Sequence, residues 1–191
     1  MNYQNRLLFI DTETGGLDPT KHSLLSIGLV VWDRYEGIIG STEFFIQEDK
    51  YITTKEAYSI HKIDTAFLET TALAPKTILD KIEDFCHEFF DETQPIPLAG
   101  HNTQFDVSFL KQFYKKNNRS FEKRFSHRIV DTYSILCYLF YCGKIHDATI
   151  LSSTKAFNYF KIKVSDRHSA LGDAKATVEL FEKLLDMTKY I

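Results

Sequence analysis

The chain has 191 residues and 43% hydrophobic content, which is one ordinary domain's length and enough apolar material for a packed core. Its net charge of −3 excludes a global polycation, so any nucleic-acid contact must come from a local cleft or from bound cations. No apolar run approaches the ~18–20 residues that span a bilayer, and Met1-Asn2-Tyr3-Gln4-Asn5-Arg6 lacks a signal-peptide core, so a cytoplasmic protein without a membrane partner is expected.

Leu7-Leu8-Phe9-Ile10 is a short continuous apolar run, the pattern of a strand buried on both faces, and it predicts a first strand over residues 6–11. The run leads straight into Asp11-Thr12-Glu13-Thr14-Gly15-Gly16-Leu17. If the chain stays extended, Asp11 and Glu13 point to the same side, with Cα atoms roughly 6.6 Å apart. Two carboxylates side by side repel unless a cation neutralises them, and hard oxygen ligands suit Mg²⁺ or Mn²⁺. The competing reading is a strand end turning into a polar loop that Asp18-Pro19 closes. A broad loop is expected up to Ser23. Leu25, Ile27, Leu29 and Val31 then alternate with Ser26, Gly28, Val30 and Trp32, the period of a second strand. Asp33 to Gly37 reads as a turn and Ile38 to Ile46 as a third strand, making an antiparallel set.

Thr54 to His61 and Asp64 to Thr70 read as short helices. From Pro75 an amphipathic helix carries Ile78, Ile82, Phe85, Cys86 and Phe89 at helical spacing. Gln94 to Gly100 reads as a short strand, followed by a helix from Asn102 or Thr103 to Lys116 with Phe105, Phe109 and Phe113 four apart. Ser126 to Asp131 is the fifth expected strand, Thr132 to Tyr141 a helix, Ser153 to Phe160 a further helix, and Ser169 to Thr188 the last one. Three antiparallel strands followed by β-α-β-α argue for an α/β fold, a mixed sheet with helices packed on it. Cys86, Cys137 and Cys142 form no CxxC pair and read as reduced core thiols.

Three segments place acids at strand ends or helix starts: Asp11 with Glu13, Asp106, and Asp173 five residues after His168. Each has a plainer reading. Thr103-x-x-Asp106 resembles a capping box, Asp173 needs only a partner near the core, and His168 fits a cap. As a set, Asp11-x-Glu13, Asp106 and His168-x4-Asp173 match in order and spacing the motifs of the DEDD superfamily of 3′→5′ exonucleases, histidine-containing branch. Ile10 to Leu17 resembles the first motif of the proofreading epsilon subunits of bacterial DNA polymerase III. Ala99-Gly100-His101-Asn102-x2-Phe105-Asp106 is similar to the family's second motif, and Ile60-His61-Lys62-Ile63 and Val130-Asp131-Thr132 fall where it carries comparable segments.

The resemblance implies a ribonuclease H-like fold of five strands in the order 3-2-1-4-5, forming a single exonuclease domain over residues 1–191. It also implies two divalent ions, Mg²⁺ or Mn²⁺. Asp11 would bridge both, Glu13 and Asp173 would complete one site, and Asp106 would hold the other. His168 would take the proton from the attacking water, a task to which an imidazole is suited at neutral pH. Thr12, Thr14 and Gly15 would approach the terminal nucleotide and Leu17 would wedge against its base. His61 matches a pocket-lining position, against the plainer reading of a helix-end cation. Asn102 would bond sugar or phosphate, or cap its helix. Phe105 would stack on a base, or belong to the core.

The expected function is release of 5′-mononucleotides from single-stranded 3′ ends, with DNA slightly preferred. An RNA-trimming enzyme of ribonuclease T or oligoribonuclease type is the alternative, and an inactive binding or subunit-interaction module a further one. A homodimer and docking to a polymerase both stay open. Among the basic residues, Lys111, Lys115, Lys116 and Arg119 read as a solvated helix face, while Lys155, Lys161, Lys163 and Arg167 are the better phosphate candidates.

Overall fold

A computed structural model describes residues 5–164 and 168–188. Strands β1 (Arg6–Thr14), β2 (Leu24–Asp33) and β3 (Gly37–Phe45) form an antiparallel set. β4 (Ile96–Gly100) lies parallel beside β1, and β5 (Phe125–Asp131) parallel beside β4, giving the expected order β3-β2-β1-β4-β5. The helices are α1 (Lys55–His61), α2 (Thr65–Thr71), α3 (Pro75–Phe89), α4 (Gln104–Lys116), α5 (Thr132–Tyr141), α6 (Ser153–Tyr159) and α7 (Ala170–Thr188). A 3-10 turn over Ala148–Leu151 was not expected; it carries no helical period and is held by Asp147, whose carboxylate accepts from the Thr149 N–H.

β1 runs three residues further than the expected strand. Thr12 and Glu13 keep their pairing with Ile27 and Ser26, and the register slips only between Glu13 and Thr14. All ten residues of β2 are buried, because helices cover the sheet on both sides. Leu8, Ile10, Ile27, Leu29 and Val31 pack with residues of α3 and α4. Phe9, Val30 and Trp32 pack with α7, where Phe181 lies 5.5 Å from Phe9 and 5.1 Å from Trp32 between ring centroids. A third cluster joins α5, α6, the 3-10 turn and α7 through Leu136, Leu139, Ile150, Phe157 and Leu180. At roughly 1.5–3 kcal/mol per fully buried large apolar side chain, this burial is what holds the layers together.

The cysteines depart from expectation. Cys86 is buried, and desolvation pushes its thiol up to about 12, so it is inert; Cys137 is half-buried and Cys142 exposed, because α5 turns part of its apolar surface outward. Among the described residues no helix is long and apolar enough to cross a membrane.

Candidate active site

The carboxyl ends of the parallel neighbours β1 and β4 lie at one end of the sheet, and the first turns of α4 and α7 carry acids. Asp11 and Glu13 both lie within β1, two apart in an extended chain, so they share a face. Asp173 stands in the first turn of α7, a helix whose start is fixed by Ser169, which accepts through its hydroxyl from the Gly172 N–H at 3.0 Å. One oxygen from each of Asp11, Glu13 and Asp173 lies within 4.8 Å of the other two. Three carboxylates that close are an all-oxygen donor set of the kind hard divalent cations take.

Gly28 makes that meeting possible. It faces Asp11 across the β1–β2 ladder, and a Cβ there would stand 2.3 Å from the Ala170 carbonyl carbon. The missing side chain is the space into which the first turn of α7 presses, carrying Asp173 onto the sheet. Sequence reading passed over this residue; a glycine inside an otherwise apolar strand was the available signal.

Asp106 is set apart from the cluster. It is 4% exposed, and its carboxylate accepts from the Thr12 hydroxyl at 2.6 Å. Burial pushes its pKa up to about 7, the hydrogen bond from Thr12 pulls the other way, and the negative charge of Asp131 adds to the rise. Thr12 follows Asp11 in β1 and so points to the opposite face of the sheet, toward α4, where its hydroxyl holds the buried acid. The capping-box reading does not hold: the Thr103 side chain makes no cap bond and donates to the Val130 carbonyl at 3.2 Å. His168 occupies the turn just before α7 with φ of 69°, half-buried. Arg167 lies outside the described residues. Lys163 lines a groove on α7 with Lys175.

Beside the carboxylates lies a cleft of about 570 Å³ lined by Thr12, Glu13, Thr14, Leu17, His61 and Phe105, together with Glu56 and Ile60 of α1. Leu17 is 84% exposed at its rim. Phe105 is half-buried with its ring 5.1 Å from Phe109, so it serves the core and the cleft at once. His61 is buried, and desolvation lowers its pKa, which removes the helix-end cation reading. Its Nδ1 accepts from the Ile63 N–H at 2.9 Å, which puts the ring proton on Nε2. That Nε2–H has no hydrogen-bond partner among the described residues.

Two expected residues fall outside the lining. A Cβ on Gly15 would meet the Ile52 carbonyl oxygen at 2.0 Å, so its close approach is to this chain's own backbone, and its carbonyl accepts from the Thr54 N–H at 2.7 Å. Asn102 has φ of 57°, and its N–H donates to the Asp131 carboxylate at 2.8 Å. Asp131 also caps α5 through the Tyr133 N–H. Glu56 was missed, since a first-turn helix acid reads as solvated in sequence.

The Exonuclease family model matches residues 8–181. The DNA polymerase III subunit epsilon of Rickettsia conorii is 27% identical over 183 residues, covering 94% of this chain and 74% of that protein. DNA polymerase III PolC-type of Caldanaerobacter subterraneus subsp. tengcongensis is 26% identical over 188 residues, where this chain spans only 12% of the relative's length. Among solved structures, E. coli Exonuclease I in complex with a dT13 oligonucleotide superposes with a TM-score of 0.80 at 18% identity, over 98% of this chain and 42% of that one. The nuclease domain of 3′hExo bound to rAMP superposes with a TM-score of 0.77 at 14% identity, over 97% and 94%.

Proposed function

The chain belongs to the Exonuclease family, and on that premise we propose that it is a single-domain, divalent-metal-dependent 3′→5′ exonuclease that releases 5′-mononucleotides from single-stranded ends. One observation carries the reading: Glu13 belongs both to the carboxylate cluster and to the lining of the cleft. A nucleotide in the cleft therefore has its phosphate beside the acids.

The donor set fits hard cations. Asp11, Glu13 and Asp173 offer oxygens within 4.8 Å of one another, and Asp106, held by the Thr12 hydroxyl, would help hold a second ion. Bound there, such ions would supply Lewis-acid stabilisation of the attacking and leaving oxygens. The other tasks fall to the chain. The cleft holds the terminal nucleotide, with Leu17 and Phe105 offering apolar surface to a base, an interaction worth about 1–3 kcal/mol when a base stacks on an aromatic ring. The orphan Nε2–H of His61 would donate to the bound nucleotide, and Thr12 and Thr14 would line its sugar side. Gly15 and Asn102 act at one remove in this reading, Gly15 by letting the Ile52 segment close the cleft wall. His168 would accept the proton of the attacking water and pass it to solvent from its turn before α7.

DNA is the favoured substrate, in line with relatives named as DNA polymerase III subunits and a solved neighbour bound to dT13. RNA trimming is kept in view by the neighbour bound to rAMP. Docking to a polymerase is the partner reading that the epsilon relatives suggest. The test uses 5′-labelled DNA and RNA strands with free or phosphorylated 3′ ends and Mg²⁺. A ladder descending from the free 3′ end and slowed by the phosphate is expected. Internal cuts, or loss from the 5′ end, would overturn the reading.

A further inference from the structure

One face of α4 carries Gln104, Ser108, Lys111 and Lys115, spaced four, three and four residues apart, so the four side chains form a single stripe about 16 Å long. Together with Pro19, Arg119 and Glu122 they line an open groove of about 570 Å³. Two chain segments carry residues of both the groove and the active-site cleft. Leu17 lines the cleft and Pro19 the groove; Phe105 lines the cleft and its neighbour Gln104 the groove. Lys111 and Lys115 are in no ion pair among the described residues; the Lys111 ammonium stands 5.1 Å from the Phe121 ring centroid, a contact that holds it in the groove. Arg119 is tied to Asp80, and Glu122 is the one acid of the lining among the described residues. In a chain of net charge −3, these cations make a local positive run beside the cleft.

We propose that the α4 groove is a second binding site, one that takes the phosphodiester backbone of single-stranded nucleic acid upstream of the terminal nucleotide. This rests on the 3′-end reading above: with the last nucleotide in the cleft, the strand leaves past Leu17 and Phe105, crosses Gln104 and Ser108, and lays phosphates against Lys111 and Lys115. Gln104 is a neutral hydrogen-bonding group of the kind that positions a backbone without reading its bases, while the Ser108 hydroxyl donates to the Phe105 carbonyl at 2.6 Å and leaves that point of the stripe small and uncharged.

Binding without turnover tests this directly. Anisotropy of 5′-fluorescein twenty-nucleotide strands, oligo-dT in one series and oligo-rU in another, is followed in EDTA across a salt series. The proteins are the wild type, Lys111→Gln/Lys115→Gln, and a control of equal charge change, Lys76→Gln/Lys183→Gln, on α3 and α7. Two phosphate contacts on a single strand contribute about 1.4 to the slope of log affinity against log salt. The α4 variant should lose that much slope in at least one series, so that between 50 and 200 mM salt its affinity falls about sevenfold less than that of the wild type. The series that responds names the sugar. An unchanged slope in both series, or an equal fall in the control, overturns the proposal. Wild-type hydrolysis of the p-nitrophenyl ester of thymidine 5′-phosphate with Mn²⁺ separates the two readings. Ester cleavage with no slope difference sinks the groove alone. A slope difference with no ester cleavage sinks the catalytic reading and leaves the groove standing.

Discussion

Asp11, Glu13 and Asp173 on one side, and Asp106 on the other, are the same kind of side chain in two opposite settings. The three approach one another within 4.8 Å at the carboxyl end of the central strand, close enough for like charges to bear on one another. Asp106 is withdrawn behind the Thr12 hydroxyl, 4% exposed, where desolvation prevails and lifts its pKa to about 7. The cluster is a donor set suited to a hard cation, while the buried acid can hold a proton near neutrality. Acids of one set of motifs need not behave alike; the packing around each decides which form it takes.

The largest effect should come from breaking the cluster. Asp11→Ala is expected to reduce exonuclease activity to below a few per cent, while far-ultraviolet circular dichroism stays unchanged. In EDTA its melting temperature should equal or exceed that of the wild type, since removing one of three close carboxylates relieves repulsion. Substantial residual turnover would mean that the cluster is not the reaction centre.

His168→Ala tests the division of labour between ligands and base. A lost general base costs about 10²–10⁴-fold in turnover. Titration calorimetry with Mn²⁺ should give the wild-type affinity, because no ligand is removed. If affinity falls as far as it does in Asp173→Ala, His168 is a ligand and its proposed role is wrong.

Gly28→Ala sharpens the comparison by moving one member of the cluster without changing any acid. The new Cβ would stand 2.3 Å from the Ala170 carbonyl carbon, so the first turn of α7 must lift and take Asp173 with it. Displacements on the order of 1 Å cost about 10²-fold in rate, and overpacking of this kind costs about 1–3 kcal/mol in stability. Mn²⁺ affinity should fall together with activity. Full affinity in a folded variant would show that the Gly28 contact does not position Asp173.

The remaining test concerns the buried acid and is read in stability, not in turnover. The unfolded chain ionises Asp106 near the ordinary 3.8 and the folded chain near 7, so between those values the folded state holds the extra proton. In metal-free buffer, stability should fall as pH rises through that window, by at most about 1.4 kcal/mol per pH unit, and level off above 7. Asp106→Asn should flatten the fall and raise the melting temperature at pH 8. Thermal scans from pH 4 to pH 8 in EDTA decide it; identical profiles for variant and wild type would mean that Asp106 is already ionised.

Much of this protein is legible in one dimension, because the relevant signals are local. An apolar run, a period of two, helical spacing of Ile78, Ile82 and Cys86, and Pro75 at a helix start all act over a few residues, and each was realised in the expected element. The acids were legible as well, since their spacing along the chain matches a family pattern. The tertiary structure decided what each does with its neighbours. Asp106 is buried because α4 folds over β1, and no local pattern reports that Thr12 will donate to it. Gly28 matters because a helix some 140 residues later presses on it. His61 becomes a neutral donor only where α1 closes against the cleft. Lys111 and Lys115 form a groove with Pro19, which lies far from them in sequence. Burial and contact at a distance set charge state and reach, and both depend on residues that meet only when the sheet and its helices are assembled.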